Sequence, residues 1–171
     1  MRALHKLASS ESIWLLLGTF LVIALFFGGA VWGGQVYYGG DIARIYLPER
    51  AALSRAIVQG KLPWWTPEIG AGYPLVAEGE VGALYPPNWL LSLFLPSELS
   101  VTVSILLHYL LSAGGMYAHL RVTGRSKTAS WLGSAIWTLG GFFIAHLSHV
   151  SILSVVAWLP WMLALTHTLL R

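Results

Sequence analysis

Asp41 is the first acidic residue after a long uncharged run, Ile13 to Trp32, and it directly follows Gly39 and Gly40, which let backbone approach closely. A carboxylate placed this way is either a proton acceptor for a hydroxyl group or the cap of the stretch Ile42 to Leu47. The cations that follow are Arg44, Arg50, Arg55 and Lys61, with Arg44 one helical turn from Asp41. Each can pair with a phosphate or sit against lipid headgroups. Trp64 and Trp65 offer flat faces that stack on a sugar or bury in a membrane interface. His146 and His149, three apart, share a face if a helix runs through them. Two imidazoles alone make no metal site, so they either donate to a phosphate, hold a metal with Asp41 as the third ligand, or simply rest at the interface. Glu78 and Glu80 are secondary acids, which fit a solvated loop tip equally well, and His108 reads as an interhelical hydrogen bonder.

The chain that positions these groups has 171 residues, of which 56% are hydrophobic and only 10% charged. A soluble domain carries about 25% charged residues. This composition therefore marks an integral membrane protein and excludes intrinsic disorder. The pI near 9.4 does not point to nucleic acid, because the basic residues flank apolar segments instead of forming a stripe. Cysteine is absent, which removes disulfides, thiolate chemistry and Cys-based zinc sites. Gly70-Ala71-Gly72 lacks the strand, third glycine and helix of a dinucleotide site, and no Walker lysine is present.

Four uncharged segments predict an all-α bundle of four transmembrane helices in a single membrane domain: 13–32, 99–120, 129–145 and 152–170. The first is longer than the ~7 to 15 residues of a signal-peptide core, so it reads as a span that is kept. Arg2 and Lys6, then Arg121, Arg125 and Lys127, then Arg171 all fall on one side, which places both termini in the cytoplasm and residues 33–98 outside. Ser130, Ser134 and Thr138, and Ser112-Ala113-Gly114-Gly115, favour close helix packing, and Pro160 should kink the fourth helix. Every proline but Pro160 lies between Gly33 and Pro96. The same outer loop holds Tyr37, Tyr38, Tyr46, Trp64, Trp65, Tyr73, Tyr85 and Trp89, too many aromatics for a polar tether, so it should be ordered. Within it, residues 48–59 read as a short amphipathic helix, either lying on the membrane surface with Arg50 and Arg55 toward headgroups or packing on the protein with a solvated face, and Asn88 to Leu95 as a run that docks or re-enters.

Several strings in fixed order carry a resemblance: Gly40-Asp41, Tyr46-Leu47-Pro48, Gly60-Lys61-Leu62-Pro63-Trp64-Trp65-Thr66-Pro67, Gly72-Tyr73-Pro74-Leu75 and Leu84-Tyr85-Pro86-Pro87-Asn88. Further on come Gly141-Phe142-Phe143-Ile144-Ala145-His146-Leu147-Ser148-His149 and Trp158-Leu159-Pro160. Together they resemble the first outer loop and the third and fourth spans of the YfhO-type bacterial membrane proteins. That resemblance covers nearly the whole chain and matches the amino-terminal part of a longer polytopic protein. It implies a GT-C-like fold in the bacterial cytoplasmic (inner) membrane and a glycosyltransferase that takes sugar from a polyprenyl-phosphate carrier on the outer leaflet. By the same resemblance Asp41 is the catalytic base; Arg44, Lys61, Trp64, Trp65, Tyr85, His146 and His149 are the candidates of this chain for binding the lipid-linked sugar. No cofactor is implied, a divalent metal stays open, and the partners are membrane lipid, the lipid-linked sugar and further membrane subunits, not nucleic acid. The alternative is a non-catalytic small subunit that keeps the fold inside a larger membrane complex.

Overall fold

A computed structural model of the chain describes residues 10–170, which form helices, turns and irregular connections. Among the described residues the one strand-like feature is an isolated antiparallel bridge between Thr66 and Tyr73. The helices are α1 (Ser10–Phe26), α2 (Gly28–Val31), a π-helical stretch (Ile42–Tyr46) that runs into α3 (Leu47–Val58), α4 (Leu75–Glu78) and α5 (Pro86–Phe94). After these come α6 (Ser97–Val122), α7 (Lys127–Thr138), α8 (Gly141–Ala145), α9 (Val150–Val156) and α10 (Leu159–Leu169).

Three described stretches are long and apolar enough to cross a membrane: Ser97–Val122, Lys127–Ala145 and Val150–Leu169. The protein is membrane-embedded and multi-pass. The segment expected to form a first span is helical in two pieces, since α1 stops at Phe26 and α2 resumes at Gly28. Gly28 and Gly29 are weak helix formers and lie at that break. The third and fourth segments are also interrupted. Gly140 takes an extended conformation between α7 and α8. Pro160 has no N–H for the Val156 carbonyl, and the chain breaks at Ala157 and Trp158 before α10.

The bundle buries small polar residues beside its apolar core and exposes large apolar ones. On α7 the residues Ser130, Ser134 and Thr138 are fully buried, whereas Ile136 is 73% exposed. On α6 Ser100, Thr102, Ser104, His108 and Ser112 all face inward. In hydrocarbon, small polar residues let helices approach and find partners, while leucine and isoleucine gain nothing by leaving lipid. The indole N–H of Trp137 donates to Ser112 Oγ at 2.9 Å, an interhelical bond of this kind. One apolar core joins Ile23 and Phe27 from the first segment to Val101, Ile105 and Tyr109 on α6 and to Phe143, Val150 and Leu153.

Residues 33–98 are folded on a small core of their own, made by Ala52, Leu53, Leu75, Val81 and Ala83. A helix over these residues is present as α3, but the expected orientation of Arg50 is overturned. Arg50 is 1% exposed and Glu49 3%, and Arg55 forms an ion pair with Glu68. Glu49 and Arg50 precede Leu53 by one helical turn, so burying Leu53 carries both inward. The run from Asn88 docks as α5 with its polar face inward: Asn88 and Ser92 are buried, and Leu90 and Phe94 are exposed. Asn88 Nδ2 donates to the Val81 carbonyl at 2.8 Å and ties α5 to the loop core.

Candidate functional site

Asp41 occupies the capping position of the π-helical stretch, yet its side chain makes no capping hydrogen bond. The carboxylate points instead at His149, with Oδ2 3.4 Å from Nε2, an ion pair whenever the imidazole carries a proton. Both side chains are close to half exposed. The helix does not persist through the two histidines as their spacing alone suggests: α8 ends at Ala145, and the His149 N–H donates to the His146 carbonyl at 2.9 Å across a turn. That turn still brings the rings to 5.4 Å between centroids. His146 stacks on Phe142 at 4.3 Å and its Nδ1 donates to the Phe142 carbonyl at 2.8 Å, which fixes the ring. A recess of about 250 Å³ beside this cluster is lined by Tyr37, Tyr38, Gly39, Ile42, Leu147 and Ser148. Among the described residues no group of three His, Asp or Glu side chains gathers closely enough to hold a metal ion.

Next to the pair stands a second polar group. Tyr46 Oη and Ser151 Oγ both donate to Glu80 Oε2, at 2.7 and 2.8 Å. These bonds hold the Glu80 carboxyl below its ordinary range, and burial pushes the Tyr46 hydroxyl up to about 12. Glu80 is therefore a structural link between the loop and α9, not a free loop tip. Glu78 turns back on the chain, where it accepts from the Glu80 N–H at 2.8 Å.

The remaining candidates are dispersed. Arg44 is exposed, and no hydrogen bond or ion pair joins it to Asp41 among the described residues. Lys61 and Trp65 line a different recess of about 250 Å³ with Arg55, Gln59, Pro67 and Glu68. Trp65 lies over Gly72, where an added Cβ would stand 2.1 Å from its ring, and Trp64 is 61% exposed. Tyr85 belongs to a third place. Its hydroxyl accepts from Trp158 Nε1 at 2.9 Å and is 2.9 Å from His108 Nε2. Because His108 Nδ1 donates to the Ser104 carbonyl at 2.6 Å, Nε2 is left to accept the Tyr85 hydroxyl proton. His108 thus links α6 to the loop, not to a second helix as expected of an interhelical hydrogen bonder.

Tyr85 and Trp158 belong to the wall of a cavity of about 390 Å³, which also meets Arg50, Glu80, Ser154 and Met162. This cavity is the feature the residue types did not single out. Its signal was the placement of Glu49 and Arg50 on the apolar side of the 48–59 helix. Burial lowers Arg50 to about 10 and raises Glu49 to about 7, each effect only partly offset by the other's charge.

No family model, no curated protein and no solved structure matches this chain.

Proposed function

We propose that the chain is a membrane glycosyltransferase, or the amino-terminal donor-binding part of one, of the YfhO type and with a GT-C-like bundle. In this reading it transfers sugar from a polyprenyl-phosphate carrier on the outer leaflet of the bacterial inner membrane. The observation that carries the proposal is the Asp41 carboxylate, not spent on capping and held 3.4 Å from His149 beside an open recess. Asp41 takes the proton of the acceptor hydroxyl as that oxygen bonds to the anomeric carbon, and the bond from that carbon to the carrier phosphate breaks. His149 orients the carboxylate and, when protonated, balances its charge. Arg44, Lys61, Trp64, Trp65, Tyr85 and His146 serve the donor, a role that for Arg44 and the Lys61 recess requires the lipid to extend along the loop. The segment α1 with α2 makes the fourth crossing, which leaves both termini cytoplasmic, and other membrane subunits complete the assembly.

The test offers the purified chain polyprenyl-phosphate glucose, galactose, mannose or N-acetylglucosamine together with bacterial cell-envelope glycans and lipids as the source of the acceptor hydroxyl, and reads the polyprenyl phosphate released. Release is expected for one of them, with a fall of about 10² to 10⁴ in Asp41→Asn at unchanged expression and membrane insertion. No release from any donor, together with stable co-purification in a larger membrane complex, would instead identify a non-catalytic subunit.

A further inference from the structure

The cavity behind the Glu80 link has a composition that constrains what it holds. Arg50 is 1% exposed and lines the cavity, and its Nε and Nη1 have no hydrogen-bond partner. Among the described residues Arg50 forms no ion pair, and neighbouring Glu49 only offsets its charge from a distance. A buried guanidinium with two idle donors destabilises the fold unless something anionic meets it. The two idle donors lie on different edges of the guanidinium, Nε on the side edge and Nη1 at the end, so a carboxylate or phosphate oxygen can be met along either edge. The rest of the wall is unlike a site for a free ion. Val155, Trp158 and Met162 line it, and they are 73%, 42% and 62% exposed on the outer apolar surface of residues 150–169, a stretch long and apolar enough to cross a membrane. The cavity is thus polar at its inner end and opens onto the hydrocarbon side of the bundle. At about 390 Å³ it accommodates a headgroup but not an acyl or prenyl chain, so the chain must leave along α9 and α10. Glu80, already holding two hydroxyl donors, adds an acceptor at the rim and favours heads that bring hydroxyl or ammonium groups.

We infer that this cavity is a binding site for the headgroup of a membrane lipid phosphate, with Arg50 as the phosphate ligand, Glu80 as the acceptor for the head's own donors, and Trp158 as the wall beside the departing chain. The site requires no transfer chemistry and stands whether or not Asp41 is a base. Two lipids share the chemistry, a polyprenyl-phosphate sugar and phosphatidylethanolamine, and they are distinguished by titration.

The full chain in detergent micelles is titrated separately with polyprenyl-phosphate glucose, with phosphatidylethanolamine and with monoglucosyl diacylglycerol, which has hydroxyls and chains but no phosphate. Bound lipid is counted by native mass spectrometry. A single phosphate lipid per chain is expected, with the glycolipid lacking phosphate bound at least about tenfold more weakly, the effect of one charge-assisted hydrogen bond. Preference for polyprenyl-phosphate glucose identifies a substrate site, preference for phosphatidylethanolamine a resident-lipid site, and both support the assignment. Arg50→Gln is expected to fold, to be no less heat-stable than wild type without lipid, and to lose binding about tenfold or more. An Arg50→Gln chain that fails to fold, or that keeps the lipid to within about twofold, overturns the assignment. Ser154→Phe fills the cavity from α9 with Arg50 in place, and lipid retained there overturns it as well. Release activity with an empty cavity would reject this site and leave the Asp41 reading intact.

Discussion

Glu49 shows how one buried side chain couples the loop to pH. Burial raises its carboxyl from 4.5 to about 7; Glu78 and Glu80 push the same way, while hydrogen bonding from Tyr73 and the charge of Arg50 oppose. The folded chain therefore holds this proton more tightly than the unfolded one. The stability Glu49 contributes is complete below its unfolded value, shrinks as pH rises from about 4.5 to about 7, and is gone above. Unfolding of the loop, followed by tryptophan fluorescence, should become easier across that window, and Glu49→Gln should flatten the profile and exceed wild-type stability at about pH 8. A wild-type profile flat across the window would mean that Glu49 is ionised throughout. Asp41 and the two histidines were legible as residues because each sits at the edge of an uncharged segment, where a charge or imidazole has few ordinary reasons to be. Their meeting was legible only as one alternative among three, since it depends on a turn at His146 that spacing does not encode. Arg50 was misread for a different reason: a cation on a short helix next to membrane is ordinarily assigned to the headgroups, and only the loop's own core around Leu53 turns it inward.

At the scale of elements, segment positions followed from runs without charge, because lipid tolerates few alternatives to a helix that satisfies its own backbone. Where those helices break did not follow equally well. Pro160 announces its break by chemistry, whereas Gly28 and Gly140 interrupt helices that many membrane proteins would continue through glycine. The packing face of α6 is also set by small residues, and two adjacent glycines test how tightly. A Cβ at Gly115 would lie 2.6 Å from Trp161, whose indole is pinned by its bond to the Leu111 carbonyl at 2.8 Å. At Gly114 the same atom would meet Trp161 at an ordinary 3.4 Å. Gly115→Ala should therefore destabilise the α6 to α10 contact by about 1 to 3 kcal/mol, and Gly114→Ala should be close to neutral, as read by thermal unfolding in detergent. Equal melting of the two variants would show that Trp161 can move aside.

For the whole molecule, the bundle has two chemically different ends. At one, α6 closes on Gly124 in the left-handed conformation, the chain reverses, and Arg121 at the end of α6, Arg125 in the turn and Lys127 at the start of α7 bring three basic residues together in the sequence. At the other, the folded loop meets the turn between α8 and α9, where Asp41 faces His149 and Glu80 holds Tyr46 and Ser151. Short basic connections stay on the cytoplasmic side, while a loop as long as 33–98 has little say through its own charges. The basic end should therefore face the cytoplasm and the Asp41 end the exterior, which is the side on which a lipid-linked sugar would be presented. Cysteine is absent from the sequence, so single cysteines report without background. Gly79 is a poor site because its φ is 87°, and Ser126 is another because its hydroxyl caps α7. Ala77→Cys on α4 and Thr128→Cys on α7 are exposed and avoid both problems. In intact cells a membrane-impermeant maleimide should modify Ala77→Cys and leave Thr128→Cys unlabelled until the membrane is opened. The reverse pattern would invert the molecule, put Asp41 and the Arg50 cavity on the cytoplasmic side, and require a donor presented on the inner leaflet.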